Sequence, residues 1–471
     1  MSATVKGKDL IAIGFKESRL MGQALQIATE QFRGTPKKEI IRIFRKLRHY
    51  PESFLDDPVL KPLALAMIEP QAPAPESILV PKGDYATFGD EFIEDGAKAQ
   101  MDLAMRLPVT VGGALMPDAH QGYGLPIGGV LAVDNAVIPY GVGVDIGCRM
   151  ALSIFDIPAD YLHEKRDHLK KMLSAHTKFG AGQGFDHKHR TDHEIIDRPE
   201  FKMIPMLGRL KDKAWEQLGT SGGGNHFVEF GVIEFKTNDD DLGISAGKYL
   251  ALLTHSGSRG LGATIAGHYT KIAKQMTSLP KEAANLAYLG LDSAQGQEYW
   301  MAMNLAGDYA SACHEVIHDK IGAAVGGNLL AKVENHHNFA WKEIVNGREA
   351  IVHRKGATPA SAGVLGFIPG SMTAPGFLVR GKGEPASLSS ASHGAGRRMS
   401  RTQAVKSISG SEMQKMLSDH GVTLIGGGRD EAPSAYKDIR QVMSAQKDLV
   451  HVIAEFTPKI VRMASDGSRE D

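Results

Sequence analysis

The first 68 residues place apolar and polar side chains with the period of an α-helix. Apolar residues recur at helical spacing over residues 18–30, and Thr35 and Pro36 stand directly before a second such run, where a capping residue and a first-turn proline favour helix initiation. Residues 70–76 are rich in Pro and Ala, which is typical of a stiff, extended linker. We therefore predict a helical N-terminal appendage and linker over residues 1–75 and a separate, larger domain over residues 76–471.

Beyond residue 78 the pattern changes to short β-branched runs separated by Gly and Pro. Residues 107–116, 126–133 and 136–139 have the composition of strands, and Asp118 and His120 fall in the predicted loop between the first two. Helical periodicity returns over residues 161–174 and through most of residues 263–332. This mixture of elements indicates an α+β fold.

Composition narrows the class of protein. Lys and Arg number 54 and Asp and Glu number 54, so the net charge is zero and a polyanion must be met by a local patch. The two cysteines, Cys148 and Cys313, do not make a disulfide framework, and the N-terminus lacks the apolar core of a signal peptide. No apolar run approaches the ~18 residues of a membrane span. We expect a soluble, cytoplasmic protein.

The glycine-studded stretch 141–149 carries the first candidate chemistry, because it places Asp145 and Cys148 three residues apart. A lone Cys is usually a packing residue, but one oxygen and one sulfur ligand together suit Mn, Fe, Co or Zn. His226, His255 and His337 each stand at a predicted strand end or glycine turn. If the thiolate bridges two ions, we expect His226 and His255 at one ion and Asp145 and His337 at the other.

Other histidines fit this chemistry less well. The three in residues 186–193 lie in a polar segment with the character of an exposed loop. His314 and His318 have a helical zinc-binding spacing without the rest of a zinc motif, so we interpret them as structural and Cys313 as packing. For Asp118 and His120 two interpretations are equally supported: a pair that orients metal ligands from behind, or a simple Asx-turn.

Three further glycine-rich segments suit phosphate. The run 219–225 ends in Asn225 and offers backbone N–H groups to an anion, and the turn beginning at His353-Arg354-Lys355 resembles a phosphate clamp. His393 precedes Arg397, Arg398 and Arg401, whose guanidinium groups would neutralise a phosphate that the imidazole attacks. The alternative is a helix-capping or phosphate-contacting histidine. With two metals, this set describes phosphoryl or nucleotidyl transfer.

These segments also carry a resemblance. Residues 116–130, 143–149, 223–229, 254–260, 337–338, 353–358, 369–372 and 393–397 resemble, in order, the motif series of the RtcB family of RNA ligases, over about residues 80 to 440. The resemblance implies mostly antiparallel sheets packed as a sandwich with peripheral helices, with residues 76–471 as the catalytic domain. It implies GTP- and Mn²⁺-dependent joining of an RNA 3′-phosphate or 2′,3′-cyclic phosphate to a 5′-hydroxyl, with two Mn²⁺ ions and no membrane partner, and a monomer is favoured.

By this resemblance, His393 is the nucleophile that forms a histidine–GMP adduct. The resemblance places the nucleotide against Asn225, His226, Phe227, Glu229, His337, Asn338, Pro369, Gly370, Ser371, Met372, His393, Gly394, Ala395, Gly396 and Arg397, and the metals against Asp145, Cys148, His226, His255 and His337.

The chain departs from the family pattern in three places. Met463 falls near the position of a C-terminal lysine that meets guanine, residues 373–377 replace a serine-bearing stretch, and the N-terminal helical segment is additional. Two alternatives therefore stand beside a ligase. One is a two-metal cyclic-phosphate or RNA end-processing hydrolase that has lost joining, and the other is a non-catalytic RNA-binding protein. The complete ligand set argues against the second.

Overall fold

The computed structural model describes residues 5–15, 19–68, 79–80 and 83–465, and the chain divides into two compact units, Met1–Glu76 and Ser77–Asp471. The predicted linker at residues 70–76 lies outside the described residues. The first unit is helical, as predicted, with α1 Gly7–Ile11, α2 Arg19–Glu30, α3 Lys37–His49 and α4 Lys61–Ile68. Its core buries Leu10, Phe44, Leu47 and Leu63 completely. Pro36 precedes α3 as its N-cap, one residue before its predicted place inside the helix.

The second unit holds the strands. They are β1 Ala86–Thr87, β2 Thr110–His120, β3 Ile127–Val133, β4 Ala136–Val137, β5 Arg149–Pro158, β6 Phe227–Phe235, β7 Gly247–Ser256, β8 Leu289–Gly290, β9 Leu329–His336, β10 Asn338–Val345, β11 Arg348–Lys355, β12 Ala357–Pro359, β13 Leu365–Ile368, β14 Gly376–Gly381, β15 Ser390–Ser392, β16 Thr423–Ile425 and β17 Val450–Met463.

These strands form two main sheets. One has five strands in the order β1-β2-β3-β11-β10, and the other has eight, in the order β13-β14-β17-β6-β7-β5-β9 with β16 paired to β17. Among the described residues only β1–β2 and β16–β17 pair in parallel. Val130 and Val352 of the five-stranded sheet share a buried cluster with Phe377 and Val379 of the eight-stranded sheet. This packing confirms the predicted mostly antiparallel, layered α+β architecture.

Helices cover the sheets. They are α5 Asp95–Met105, α6 Pro139–Val142, α7 Tyr161–Glu164, α8 Arg166–His176, α9 Glu200–Met203, α10 Pro205–Gln217, α11 Arg259–Met276, α12 Ala294–Val325, α13 Arg401–Ser407, α14 Gly410–Asp419 and α15 Ile439–Ala445. In the long helix α12, Ser293 accepts a hydrogen bond from the Gly296 backbone N–H at the start, and Gly326 ends it in the left-handed conformation (φ +76°).

Three boundaries differ from the sequence prediction. The helix expected over 161–174 is interrupted at Lys165, where α7 ends before α8 begins. The segment 263–332 also contains β8 and the start of β9. Asp118 and His120 lie in β2 rather than in a loop, because β2 continues past a β-bulge after Leu115. Within the described residues, no helix has both the length and the hydropathy needed to cross a membrane.

The order of the central strands creates a chemical edge. β6 and β5 begin, and β7 and β9 end, at the same edge of the eight-stranded sheet, because neighbouring strands run antiparallel. Each of these strand ends carries one predicted metal ligand: His226 precedes β6, His255 lies at the end of β7, Cys148 precedes β5 and His337 follows β9. Four residues far apart in sequence therefore meet.

Candidate active site

The Asp145–Cys148 turn is the shared edge of the site. The Cys148 N–H donates to the Asp145 carbonyl at 3.2 Å, and Gly147 between them adopts φ +72° while its N–H donates to the Asn338 carbonyl at 2.7 Å. A Cβ on Gly147 would lie 2.8 Å from the Gly307 Cα. Only glycine fits this turn without strain, and the turn directs both side chains to the same point.

The five predicted ligands form two groups that share the thiol. Asp145, Cys148 and His226 make one group and Cys148, His255 and His337 the other, with the ligand atoms of each group within 4.8 Å of one another. The Cys148 Sγ lies 3.5 Å from His226 Nε2 and 3.2 Å from His255 Nε2. The sequence-based grouping of His226 with His255, and of Asp145 with His337, was wrong. His226 Nε2 lies 3.0 Å from Asp145 Oδ2, and His255 Nε2 lies 3.2 Å from His337 Nε2.

The donor chemistry of these groups suits divalent ions. Burial lowers the pKa of His255 to about 3 and holds that of His337 well below its ordinary value, so both imidazoles are neutral and have a lone pair to donate. His255 Nδ1 lies 3.1 Å from the Asn225 carbonyl; donation of its N–H to that oxygen leaves Nε2 free to bind a metal. Burial opposes ionisation of Asp145, but the hydrogen bonds of His226 and Cys148 and the charge of Arg259 together outweigh burial and keep the pKa of Asp145 below its ordinary value.

Close backbone approach explains two glycines beside the group formed by Asp145, Cys148 and His226. A Cβ on Gly257 would lie 2.0 Å from Asp145 Oδ1, and one on Gly222 would lie 2.0 Å from His226 Nδ1. The adjacent Ser258 N–H donates to Asp145 Oδ1 at 3.0 Å, so this oxygen is held while Oδ2 lies 3.0 Å from His226 Nε2. At least one glycine of the 219–225 run therefore serves the close packing of a ligand.

His393 has a carboxylate partner that sequence analysis missed. His393 follows β15, and its Nδ1 lies 2.6 Å from Asp118 Oδ2, which also accepts the His393 backbone N–H at 3.2 Å. Burial opposes ionisation of Asp118, but the neighbouring His393, together with Lys437 and His120, outweighs burial and keeps the pKa of Asp118 below its ordinary value. The carboxylate accepts a hydrogen bond from the Nδ1–H of His393. Because the ring proton is then on Nδ1, the Nε2 lone pair is available. Asp118 is thus an orienting residue for His393, while His120 Nδ1 lies 3.0 Å from the Asp118 carbonyl oxygen.

A cavity of about 550 Å³ opens in front of these groups, within the usual range for ligand pockets. The His393 side chain is 17 % exposed, whereas Asp118 is fully buried behind it, and the His393 ring lies 4.9 Å from that of His337. Of the residues that the resemblance placed at the nucleotide, His226 alone does not line the cavity; the lining includes Asn225, Phe227, Glu229, His337, Asn338, Pro369, Gly370, Ser371, Met372, His393, Gly394, Ala395, Gly396 and Arg397.

Strand register sets the distal floor of this cavity. Phe227 lies between His255 and Met463 on neighbouring strands, and two residues along β6 Glu229 lies opposite Val461. Glu229 and its partner therefore lie about 7 Å along the strands from Phe227 and its two partners. Met463, near the position of the family lysine, is 7 % exposed and gives this end an apolar wall. Burial raises the pKa of Glu229 well above its ordinary value.

Two of the three predicted arginines, Arg397 and Arg401, are paired with carboxylates. Arg397 donates to Glu431 at 3.3 Å and to the Asp430 carbonyl at 2.6 Å, and Arg401 pairs with both Glu431 and Asp430. Arg398 donates to the Ser434 carbonyl. Arg397 and Arg401 line the cavity, but much of their charge is balanced by the two acids, which reduces the phosphate neutralisation expected from sequence.

The predicted clamp at residues 353–355 likewise reduces to one residue. Arg354 is fully buried and donates to both carboxylate oxygens of Glu343, so it is not available to a ligand. Lys355 lines the cavity, where its Nζ donates to the Tyr123 carbonyl at 2.6 Å. Burial lowers the pKa of Lys355 to about 7, so an arriving phosphate can draw a proton onto this amine.

Two other sets of histidines were set aside as metal ligands in the sequence analysis, the pair His314 and His318 and those of residues 186–193. His314 and His318 both contact Thr254 Oγ1, at 2.5 and 2.8 Å, in a buried network behind β7. The short 3₁₀ turn His187–His189 is exposed.

The fold and the site together describe an α+β enzyme with a candidate binuclear metal centre and a carboxylate-oriented histidine. The family model for tRNA-splicing ligase RtcB matches residues 100–464. RNA-splicing ligase RtcB1 of Escherichia coli is 32% identical over 398 residues, which cover 77% of this chain and 92% of that protein. tRNA-splicing ligase RtcB of Nanoarchaeum equitans is 30% identical over 417 residues, which cover 74% of this chain and 87% of that protein. The chain belongs to the RtcB family of ligases.

Proposed function

We propose that the protein is a GTP-dependent RNA ligase that joins an RNA 3′-phosphate or 2′,3′-cyclic phosphate end to a 5′-hydroxyl end, in tRNA splicing or RNA repair. The proposal depends above all on one observation: His393, paired with Asp118, faces a cavity beside two metal-ligand groups that share Cys148. The ligase names of the E. coli and N. equitans relatives support the same activity.

The chemistry of His393 follows from its hydrogen bond. With its proton on Nδ1 and held by Asp118, the imidazole attacks the α-phosphorus of GTP through Nε2, forming a P–N bond as pyrophosphate leaves. Asp118 stabilises the positive charge that develops on the ring. At a 2′,3′-cyclic phosphate end, water first opens the bond to the 2′-oxygen, leaving a 2′-hydroxyl and a 3′-phosphate. The GMP group then passes to the RNA 3′-phosphate, the P–N bond breaks, and His393 regains its lone pair. Finally the 5′-hydroxyl oxygen bonds to the 3′-phosphorus and GMP leaves.

Two divalent ions, with Mn²⁺ as the expected metal, would be held by Asp145, Cys148 and His226 and by Cys148, His255 and His337. When bound, such ions neutralise phosphate charge and stabilise attacking and leaving oxygens. Asn225 Oδ1 is buried without a hydrogen-bond partner among the described residues and lines the cavity, so it suits a donor on the ligand. Glu229 lines the cavity two residues along β6 from Phe227, which pairs with His255, so its carboxyl suits contact with the base of the nucleotide.

Two measurements test the proposal. Incubation with Mn²⁺ and α-labelled GTP should give an acid-labile, alkali-stable protein adduct, and His393→Ala should abolish it. A nicked RNA with 3′-phosphate and 5′-hydroxyl ends should give joined product. Adduct retained in the His393→Ala variant would contradict the assigned nucleophile, and an adduct without any joined RNA would favour the end-processing hydrolase.

A further inference from the structure

Helix α3 of the N-terminal unit has two chemically opposite faces. Ile40, Phe44 and Leu47 lie on one face and are at most 5 % exposed, because they pack into the core of the unit. Lys38, Arg42 and Arg45 follow the same i, i+4, i+7 spacing on the other face, and all three are exposed. We call these three residues the basic stripe. With a rise of 1.5 Å per residue, the stripe is about 10 Å long.

The basic stripe has no acidic partner within the described residues, although its neighbours do have partners. Lys37 pairs with Asp9 at 2.7 Å, and Arg48 donates to the Ile13 carbonyl at 3.4 Å. An ion pair requires a nitrogen–oxygen distance of at most 4.0 Å. Among the described residues, no carboxylate oxygen lies this close to a side-chain nitrogen of the basic stripe. The structural need for a basic residue at positions 37 and 48 therefore does not extend to the stripe.

Electrostatics within the unit disfavours the stripe. Helix α3 carries six Lys and Arg residues and a single acid, Glu39, and like charges at i, i+3 and i, i+4 cost about 0.2–0.5 kcal/mol per pair. Lys46, Arg48 and His49 lie in the last turn, where the helix dipole favours cations. Lys38 lies in the first turn, where the dipole opposes a cation. An external polyanion would relieve this repulsion.

We propose that the basic stripe binds the phosphate backbone of the RNA substrate. This inference rests on the proposed function for the identity of the polyanion. The alternative of an anionic membrane surface fits the helix poorly, since a membrane-bound amphipathic helix inserts its apolar face, and Ile40, Phe44 and Leu47 are already buried in the unit. Backbone contacts supply affinity and salt dependence without base specificity.

The test compares two full-length variants with equal charge change. The first is Lys38→Gln/Arg42→Gln/Arg45→Gln. The control is Lys8→Gln/Arg33→Gln/Lys61→Gln, which removes three exposed basic side chains from other segments of the same unit. RNA affinity is measured by fluorescence anisotropy with a nicked stem-loop at several salt concentrations. For the stripe variant we expect a Kd raised about tenfold to a hundredfold at 0.1 M salt and a salt slope shallower by about 2. The control should shift both values much less.

Adduct formation separates this inference from the proposed function. It requires GTP and metal but no RNA, so the stripe variant should form the adduct at the wild-type rate, and Arg42→Lys/Arg45→Lys should retain RNA affinity. If the stripe variant forms adduct and binds RNA like wild type, the inference is wrong while the ligase assignment stands. Equal weakening in the control would also overturn it, as would loss of binding to phosphatidylserine vesicles with RNA affinity unchanged. Absence of adduct in the wild type would instead contradict the proposed function.

Discussion

Replacement of Asp118 by Asn tests the role of the carboxylate behind His393. Asp118 Oδ2 receives both the His393 ring Nδ1, at 2.6 Å, and the backbone N–H, at 3.2 Å, while Oδ1 is buried without a partner in the described chain. If the Asn oxygen replaces Oδ2, the tautomer is kept but the negative charge is lost, and the amide NH₂ is buried without an acceptor. If the NH₂ replaces Oδ2, it confronts the backbone N–H and favours the tautomer in which Nε2 carries the proton.

The two orientations bracket the loss of rate. A charge-assisted hydrogen bond is roughly twice as strong as a neutral one, and the wrong tautomer costs about 10⁴-fold in the comparable Ser-His-Asp arrangement. We therefore expect Asp118→Asn to slow adduct formation about 10²- to 10⁴-fold, equivalent to about 3–5 kcal/mol of transition-state stabilisation.

The assay is single-turnover formation of the acid-labile adduct from α-labelled GTP and Mn²⁺, with bound metal measured on the same samples. Asp134→Asn makes the same chemical change at an exposed position after β3 and should leave the rate unchanged. A rate for Asp118→Asn within threefold of wild type would refute the orienting role. Loss of bound metal in that variant would show instead that Asp118 acts by holding the site together.

Three other changes give outcomes that the structure fixes. His226→Ala/His255→Ala should remove both metal ions because these residues belong to different groups, whereas His255→Ala/His337→Ala should remove about one; metal content after dialysis against Mn²⁺ measures both. In the wild type we expect GTP affinity to decline as pH rises through about 7, where the Lys355 amine loses its proton. Lys355→Met should weaken GTP binding below pH 7 and remove this pH dependence, and titration calorimetry measures both. Glu229→Gln should raise the thermal stability near pH 7. Burial raises the pKa of Glu229 in the folded state, so the unfolded chain ionises first as pH rises above the ordinary value of 4.5 and wild-type stability falls.

Each of these predictions has a contrary outcome. Loss of one ion from the His226→Ala/His255→Ala variant would restore the grouping expected from sequence. A single group titrates over roughly one pH unit on either side of its pKa, which for Lys355 is about pH 6 to 8. A wild-type GTP affinity that does not change over this range would show that Lys355 does not contact phosphate. A wild-type protein whose unfolding temperature keeps pace with the Glu229→Gln variant from pH 4.5 to 7 would show that the carboxyl is solvated.

The sequence was sufficient to name the candidate metal ligands and the histidine that the structure brings together at one site. Asp145 and Cys148 share one glycine turn, and each histidine stands beside a strand or a glycine loop, features of local chain chemistry that sequence records. Helical periodicity likewise predicted α2 and α3. The end of β2 was missed because a bulge, which depends on its pairing with β3, extends the strand past Asp118.

Which groups face one another was decided only by tertiary structure. The antiparallel order β6-β7-β5-β9 brings four strand ends to one edge, and side-chain direction at that edge joins His226 to Asp145 and His255 to His337, the reverse of the sequence-based grouping. The Asp118–His393 pair joins residues 275 positions apart. The acids Asp430 and Glu431 balance the arginines that follow His393. Sequence specifies which donors and charges are present. The distances between them depend on strand order and register, which cannot be read from spacing along the chain.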